Sequence, residues 1–152
     1  MAIKQSTADD DELGVGLLLF IHYRAMETQV FQALDEAGFT DITPAQARLL
    51  QRIGRDGTRV TELAEAAQVT KQTASFLVDQ LERAGYVRRT PDPADARARL
   101  VHIADRAETV RPVADAAVAE VEAEWRAHLG ARRWDQLRAA LTDLRALTDP
   151  YM

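Results

Sequence analysis

Apolar positions recur at three- and four-residue intervals through most of this chain, and most of the breaks in that rhythm fall at helix stops or turn formers. From Leu13, apolar residues fall at 13, 17, 20, 21, 31 and 34, with Arg24 interrupting. That approximates one face of a helix ending near Gly38. "ITPAQARLLQRIG" opens a second helix. Thr43 suits the N-cap, Pro44 the first helical position, and Gln46 completes a Thr-x-x-Gln capping box. Leu49, Leu50 and Ile53 supply its buried stripe and Gly54 stops it. "RDGT" reads as a turn, and "VTELAEAAQV" as a short helix with Leu63, Ala64 and Ala67 inward. The next helix starts almost without a linker. Thr70 caps it, Ala74, Leu77, Val78 and Leu81 form its stripe, and Gly85 suits the position past its end.

The rhythm then changes. "YVRRT" and "ARLVHI" flank "PDPAD", which predicts a two-stranded hairpin about a proline-rich turn. A helix follows from Asp105 to about His128. Pro112 predicts a kink in it unless the helix begins there. "RRWDQLRAALTDLRAL" closes the pattern with Trp134, Leu137, Leu141 and Leu144 on one side. Trp125 and Trp134 read as core or interface anchors. The fold class is mainly α with a small β-hairpin wing, a winged helix-turn-helix over residues 39–104. Helices at 12–38 and 105–148 flank it in one integrated domain. Residues 1–11 read as a disordered acidic tail.

Composition narrows the setting. The chain has 152 residues, 47% hydrophobic and 28% charged, with no cysteine. That fits one globular domain and excludes disulfides, thiolate metal sites and thiol redox chemistry. The apolar run "LGVGLLLFI" is too short to cross a bilayer, and "MAIKQSTADDDE" is too polar and acidic for a secretion signal. The expectation is a cytoplasmic protein without membrane contact. Net charge is −5, but residues 43–103 carry ten Lys/Arg against seven Asp/Glu, while the rest carries nine against seventeen. A polyanion responds to local field, so the middle of the chain suits one while the ends repel it.

The chemistry lies in the second helix of the pair and in the hairpin. With its stripe buried, that helix turns Lys71, Gln72, Ser75, Phe76 and Asp79 outward. Short polar groups and one cation at a helix start match the donors and acceptors of base edges in a major groove, and the first amides suit phosphate. Four arginines, Arg88, Arg89, Arg97 and Arg99, surround the tight turn. A minor groove is narrow and strongly negative, and an arginine on a turn fits it. Arg97 stands just past the turn, where Asp95 is spaced to pair with it and orient the guanidinium. Arg88, Arg89 and Arg99 then lie along the flanking phosphates. The alternative is a surface hairpin with scattered ion pairs, each worth little.

At this point the sequence resembles a known family. "VTELAEAAQVTKQTASFLVDQLERAGYVRRTPDPADARARLVHI" is similar to the DNA-binding core of the MarR family of bacterial transcriptional regulators. "ELA", "TKQTAS", "LERAGYV" and "DPADAR" fall in the family's order and spacing, and "TPAQARLL" extends the likeness upstream. Residues 30–107 carry it; the end helices match only by layout. The resemblance implies an obligate homodimer on a palindromic double-stranded DNA operator, usually as a repressor. It places Thr70, Lys71, Gln72, Thr73 and Ser75 at bases or nearby phosphates and Arg97 in the minor groove. Two departures stand out. Ala96 occupies a position where many members carry a second arginine. "IADRA" replaces a frequent Leu-Thr, leaving Asp105 to cap the next helix.

The resemblance also implies release by a small aromatic anion, bound between the dimer layer and the winged region. The candidate contacts are His22, Met26 and Arg48. Arg48 offers a guanidinium for a carboxylate, and His22 a protonation switch or a phenol partner. Read alone, His22 is a packed or interface histidine and Arg48 a surface cation. Apolar stripes on the end helices exceed what one small winged domain covers, which supports the dimer separately; the alternative is a monomeric bundle. Two other functions compete. A protein-binding winged module draws some support from outward Phe76. An enzyme finds little: His22, His102 and His128 lie far apart with no metal-ligand spacing, and no phosphate loop or nucleophile motif occurs. No catalytic residue, metal or cofactor is expected.

Overall fold

The computed structural model describes residues 13–151. The acidic tail expected over 1–11 lies outside the described residues. The elements run α1 (Val15–Glu36), α2 (Pro44–Leu50), β1 (Thr58–Arg59), α3 (Val60–Ala66), α4 (Lys71–Arg83), β2 (Val87–Asp92), β3 (Asp95–Ile103), α5 (Asp105–Leu129) and α6 (Ala131–Thr148). The architecture is mainly helical with a small antiparallel sheet, a winged helix-turn-helix.

The capping chemistry of α2 and α4 sets their starts. Thr43 Oγ1 accepts the Gln46 amide at 3.2 Å, and the Gln46 side chain accepts the Thr43 amide at 3.0 Å. Pro44 occupies the first turn, where its missing N–H costs nothing. Ile53 reaches the core from the turns after α2, not from the helix itself. At α4, Thr70 Oγ1 accepts the Thr73 amide at 3.1 Å. The helix closes when Gly85, at φ +84°, lets the Tyr86 amide reach back to the Leu81 carbonyl at 2.9 Å. Ala74, Leu77, Val78 and Leu81 are all buried. Burying a Leu or Val side chain stabilises by roughly 1.5–3 kcal/mol, whereas helix propensities of ordinary residues differ by at most about 0.7 kcal/mol. Packing therefore fixes the rotation of α4 about its axis.

The sheet has one strand more than the expected hairpin. Its order is β1-β3-β2, with Thr58 opposite Val101 and Arg59 opposite Leu100. Two residues are too few for a period of two to show in sequence. β2 and β3 pair from Val87–Ile103 to Pro91–Arg99, and the register shifts between Pro91 and Asp92. Asp105 does not cap α5. Ala104 holds that position without a side-chain bond, and Asp105 is the first helical residue, where it and Glu108 complement the positive end of the helix. The helix runs on through Pro112 and does not start there.

A three-part clamp joins the start of α5 to the winged core. Tyr86, fully buried, donates its hydroxyl to Asp41 at 2.6 Å. Arg106 pairs with Asp41 at 2.6 Å, donates to the Ala84 carbonyl at 2.6 Å and lies 4.5 Å above the Tyr86 ring. The Tyr86 bond holds the Asp41 carboxyl below its ordinary range. Burial, and then that same bond, push the Tyr86 phenol up to about 12.

The flanking helices are covered only in part. Leu34 of α1 belongs to the core, and Trp134 of α6 is buried. Val15, Leu17, Leu18, Leu19, Phe20 and Ile21 of α1 stay exposed, as do Leu137, Leu141, Leu144 and Leu147 of α6. The apolar rhythm read along α1 therefore splits: only its C-terminal part meets the winged core.

Gly57 tests the wing's packing. It sits at φ +85°, and a Cβ there would lie 2.6 Å from the His102 ring. Gly57→Ala should destabilise the protein by at least about 1 kcal/mol, read from urea unfolding at fixed protein concentration. An unchanged midpoint would show that the loop yields freely.

Candidate nucleic-acid interface

The exposed side of α4 follows from its buried side. Lys71, Gln72, Thr73, Phe76 and Asp79 are exposed and Ser75 is half-buried. Thr70, also exposed, is occupied in capping the Thr73 amide. The first amides of the helix, at Lys71 and Gln72, have no intrahelical acceptor by geometry. Gln80, one turn on, is turned inward by Gln46, whose Nε2 donates to its Oε1 at 3.1 Å. The open surface is thus the first two turns.

Strand alternation divides the four arginines. Register places Arg89, Pro91, Arg99 and Val101 on one face of the hairpin, and Arg88, Thr90, Leu100 and His102 on the other. Val101 is fully buried, so its face is the one turned to the core. Arg89 does not stand free beside a phosphate path. Its guanidinium bridges Asp79 at 2.7 Å and Glu82 at 3.2 Å, both on α4, and only 18% of its side chain is exposed. It fastens the wing to α4 and pairs the acids that α4 would otherwise leave open. Arg99 is exposed and reaches the Arg89 carbonyl at 3.4 Å; Arg88 is exposed on the opposite face.

Asp95 also acts differently from the expectation. Its carboxylate accepts the backbone amide of Arg97 at 3.0 Å and does not clasp the guanidinium. The Arg97 side chain is exposed and has no hydrogen-bond or ion-pair partner among the described residues. The pairing that shapes the wing is Arg59 with Asp92. Arg59 Nε donates to Asp92 at 2.7 Å, and its second nitrogen approaches to 2.5 Å. Asp92 accepts the Ala94 amide at 2.8 Å as well, closing the turn. That amide first, and Arg59 second, hold the Asp92 carboxyl below the usual carboxylate range. Sequence reasoning missed Arg59 because 33 residues separate it from Asp92. The Asp-x-Ala turn bond was the one local signal available.

A second feature lies between α1, α2 and α5, a cavity of about 520 Å³. Its walls are mostly apolar, with Met26, Val30 and Val110 among them, and Arg111 also borders it. Of the three candidate effector contacts only Met26 lines it. His22 lies edge-on to Trp125, with ring centres 5.8 Å apart. Arg48 is bound by both oxygens of Glu27, at 2.7 and 2.8 Å, so its guanidinium is already matched to a carboxylate. That bond is the chief reason the Glu27 carboxyl is held low.

A MarR family model matches residues 40–98. The transcriptional regulator HosA of Escherichia coli O111:H- is 35% identical over 71 residues, 46% of this chain and 53% of that protein. The match thus spans about half the relative's length. Among solved structures, a mutant of S. aureus MepR bound to an oligodeoxyribonucleotide superposes with a TM-score of 0.57 at 24% identity, covering 89% of this chain and 98% of that one. The MarR family protein RV2887 of Mycobacterium tuberculosis, in complex with salicylic acid, gives 0.63 at 26% identity over 88% and 98%.

The wing's anchor can be tested without any ligand. Asp92→Asn should speed amide exchange at Ala94 and in the β2–β3 turn while leaving α4 protected. Because the folded carboxyl titrates low, the anchor is intact at neutral pH and fades only as acid protonates Asp92, below about pH 4. Equal exchange in wild type and variant at pH 7 would show that Arg59 and Asp92 do not order the turn.

Proposed function

We propose that this chain, whose residues 40–98 match a MarR family model, is a homodimeric, sequence-specific regulator of duplex DNA. It represses transcription from a palindromic operator and releases it on binding a small aromatic anion. One observation carries the reading: the capped, polar start of α4 and Arg97 of the wing, which has no partner among the described residues, stand exposed while every acid on the intervening surface of α4 is tied to Arg89. Lys71, Gln72, Thr73 and Ser75 meet base edges or adjoining phosphates in the major groove, with Thr70 at the capped start. Arg97 enters the minor groove, Asp95 orders its backbone, and Arg88 and Arg99 meet flanking phosphates. Arg89 serves this surface from beneath. DNA as partner sets the work in the cytoplasm, and binding rather than catalysis is the activity.

The uncovered leucines of α6 and the apolar N-terminal half of α1 support a dimer, since burying them against a second copy removes a surface too apolar for water. The cavity has the size of a small-molecule site. The salicylic acid bound by the Mycobacterium tuberculosis relative supports an anionic aromatic ligand. Met26 and Arg111, the latter held only by a 3.4 Å pair with exposed Glu108, line the cavity and are the contacts this geometry favours, in place of Arg48 and His22.

DNA selected from random duplexes provides the main test. Arg97→Ala should weaken binding to most sequences and lower the salt slope by about one unit. Gln72→Ala should instead alter the preferred sequence, at about 1–3 kcal/mol per lost base contact. An unchanged slope in the first and unchanged preference in the second would remove the groove assignments. For assembly, light scattering at micromolar concentration should give twice the chain mass, and Leu144→Glu should shift it towards one. A wild-type monomer would end the two-fold model.

A further inference from the structure

Phe76 is 57% exposed in the middle of α4. Among the described residues, the other large apolar side chains left open belong to α1, α6 or Tyr151 beyond α6. Those on α1 and α6 form the surface a second copy would cover. Phe76 is set apart from that surface, in the winged region, on a helix face otherwise made of Lys71, Gln72, Ser75 and Asp79. No aromatic or cationic neighbour stacks on it among the described residues. An isolated ring in a polar, cation-bearing surface calls for a partner that is anionic around its rim and apolar at one point. Major-groove DNA answers that description: phosphates line the edges, and the sole apolar group on its floor is the thymine 5-methyl.

We propose that Phe76 reads thymine through its 5-methyl group, next to the base contacted by Gln72. This rests on the DNA-binding reading above and deepens it. The two residues are four apart on one face, so they differ by about 6 Å along the helix axis. Base pairs rise about 3.4 Å each, so the thymine lies one to two steps from the Gln72 contact. Gln72 reads by hydrogen bonds and Phe76 by burial of a methyl. The operator half-site should therefore hold a thymine whose pairing atoms are not contacted.

The test uses the full chain and its selected operator, with each thymine of the half-site replaced in turn by deoxyuridine. This keeps base pairing and removes only the methyl. Wild type should lose about fourfold in affinity at one position, as expected for one buried carbon. Phe76→Ala should weaken binding to the unmodified duplex and become indifferent to deoxyuridine at that position. Phe76→Leu should keep the discrimination in part. The proposal is overturned if wild type ignores every replacement, or if Phe76→Ala keeps the same sensitivity. A variant that binds all duplexes like wild type overturns it too, and points to a protein partner for the ring. A wild-type chain that binds no duplex overturns the DNA reading together with this one. Ordinary binding with no methyl effect overturns this one alone.

Discussion

The burial of Ala74, Leu77, Val78 and Leu81 is the constraint on which the rest of the molecule depends. Those side chains leave α4 only one rotational setting. Once it is set, the exposed face is determined residue by residue, and so is the direction of every polar group at the helix start. A quarter-turn of α4 would bury Lys71 or Gln72 and expose a leucine, at the cost of both packing and desolvation. The surface chemistry of this protein is thus a consequence of its core.

Ion pairs then do local positioning. Arg89 links β2 to Asp79 and Glu82, while Arg59 links β1 to Asp92 at the wing's tip. With one partner of each pair open to solvent, these pairs add little to global stability. Their effect is geometric: they fix where the wing stands relative to α4 and remove negative charge from the face between them. Among the described residues, Arg97 and Lys71 carry no ion-pair partner. That division of labour explains how a chain of net charge −5 can present a cationic surface.

Other contacts join the flanking helices to the winged core. Glu27 of α1 holds Arg48 of α2. Asp149, just past α6, holds Arg52 at 2.5 Å, chiefly for which reason its carboxyl falls to about 2, and Tyr151 donates to Glu65 of α3. Arg106 of α5 grips Asp41 and Tyr86. The winged core is therefore tied at several points to the flanking helices, of which α1 and α6 carry open apolar faces.

The sequence by itself determined the helices, the caps of α2 and α4 and the inward stripe of α4. These are local: Thr43 with Gln46, Thr70 with Thr73, and a 3.6-residue rhythm that neighbouring residues already display. It likewise marked Lys71, Gln72, Phe76 and Asp79 as outward, because opposition to a buried stripe needs no tertiary information. The strand β1 was illegible, since two residues gain strand geometry only from Leu100 and Val101 on a distant segment. The fates of the arginines were illegible for the same reason. Arg89 and Arg97 look alike in a basic hairpin, and only strand register and the approach of α4 commit one to Asp79 and Glu82 and leave the other open. So too with Arg48, whose partner Glu27 lies a helix away. Periodicity encodes which side of an element faces in; which charges meet depends on how elements pack, and that is decided only in three dimensions.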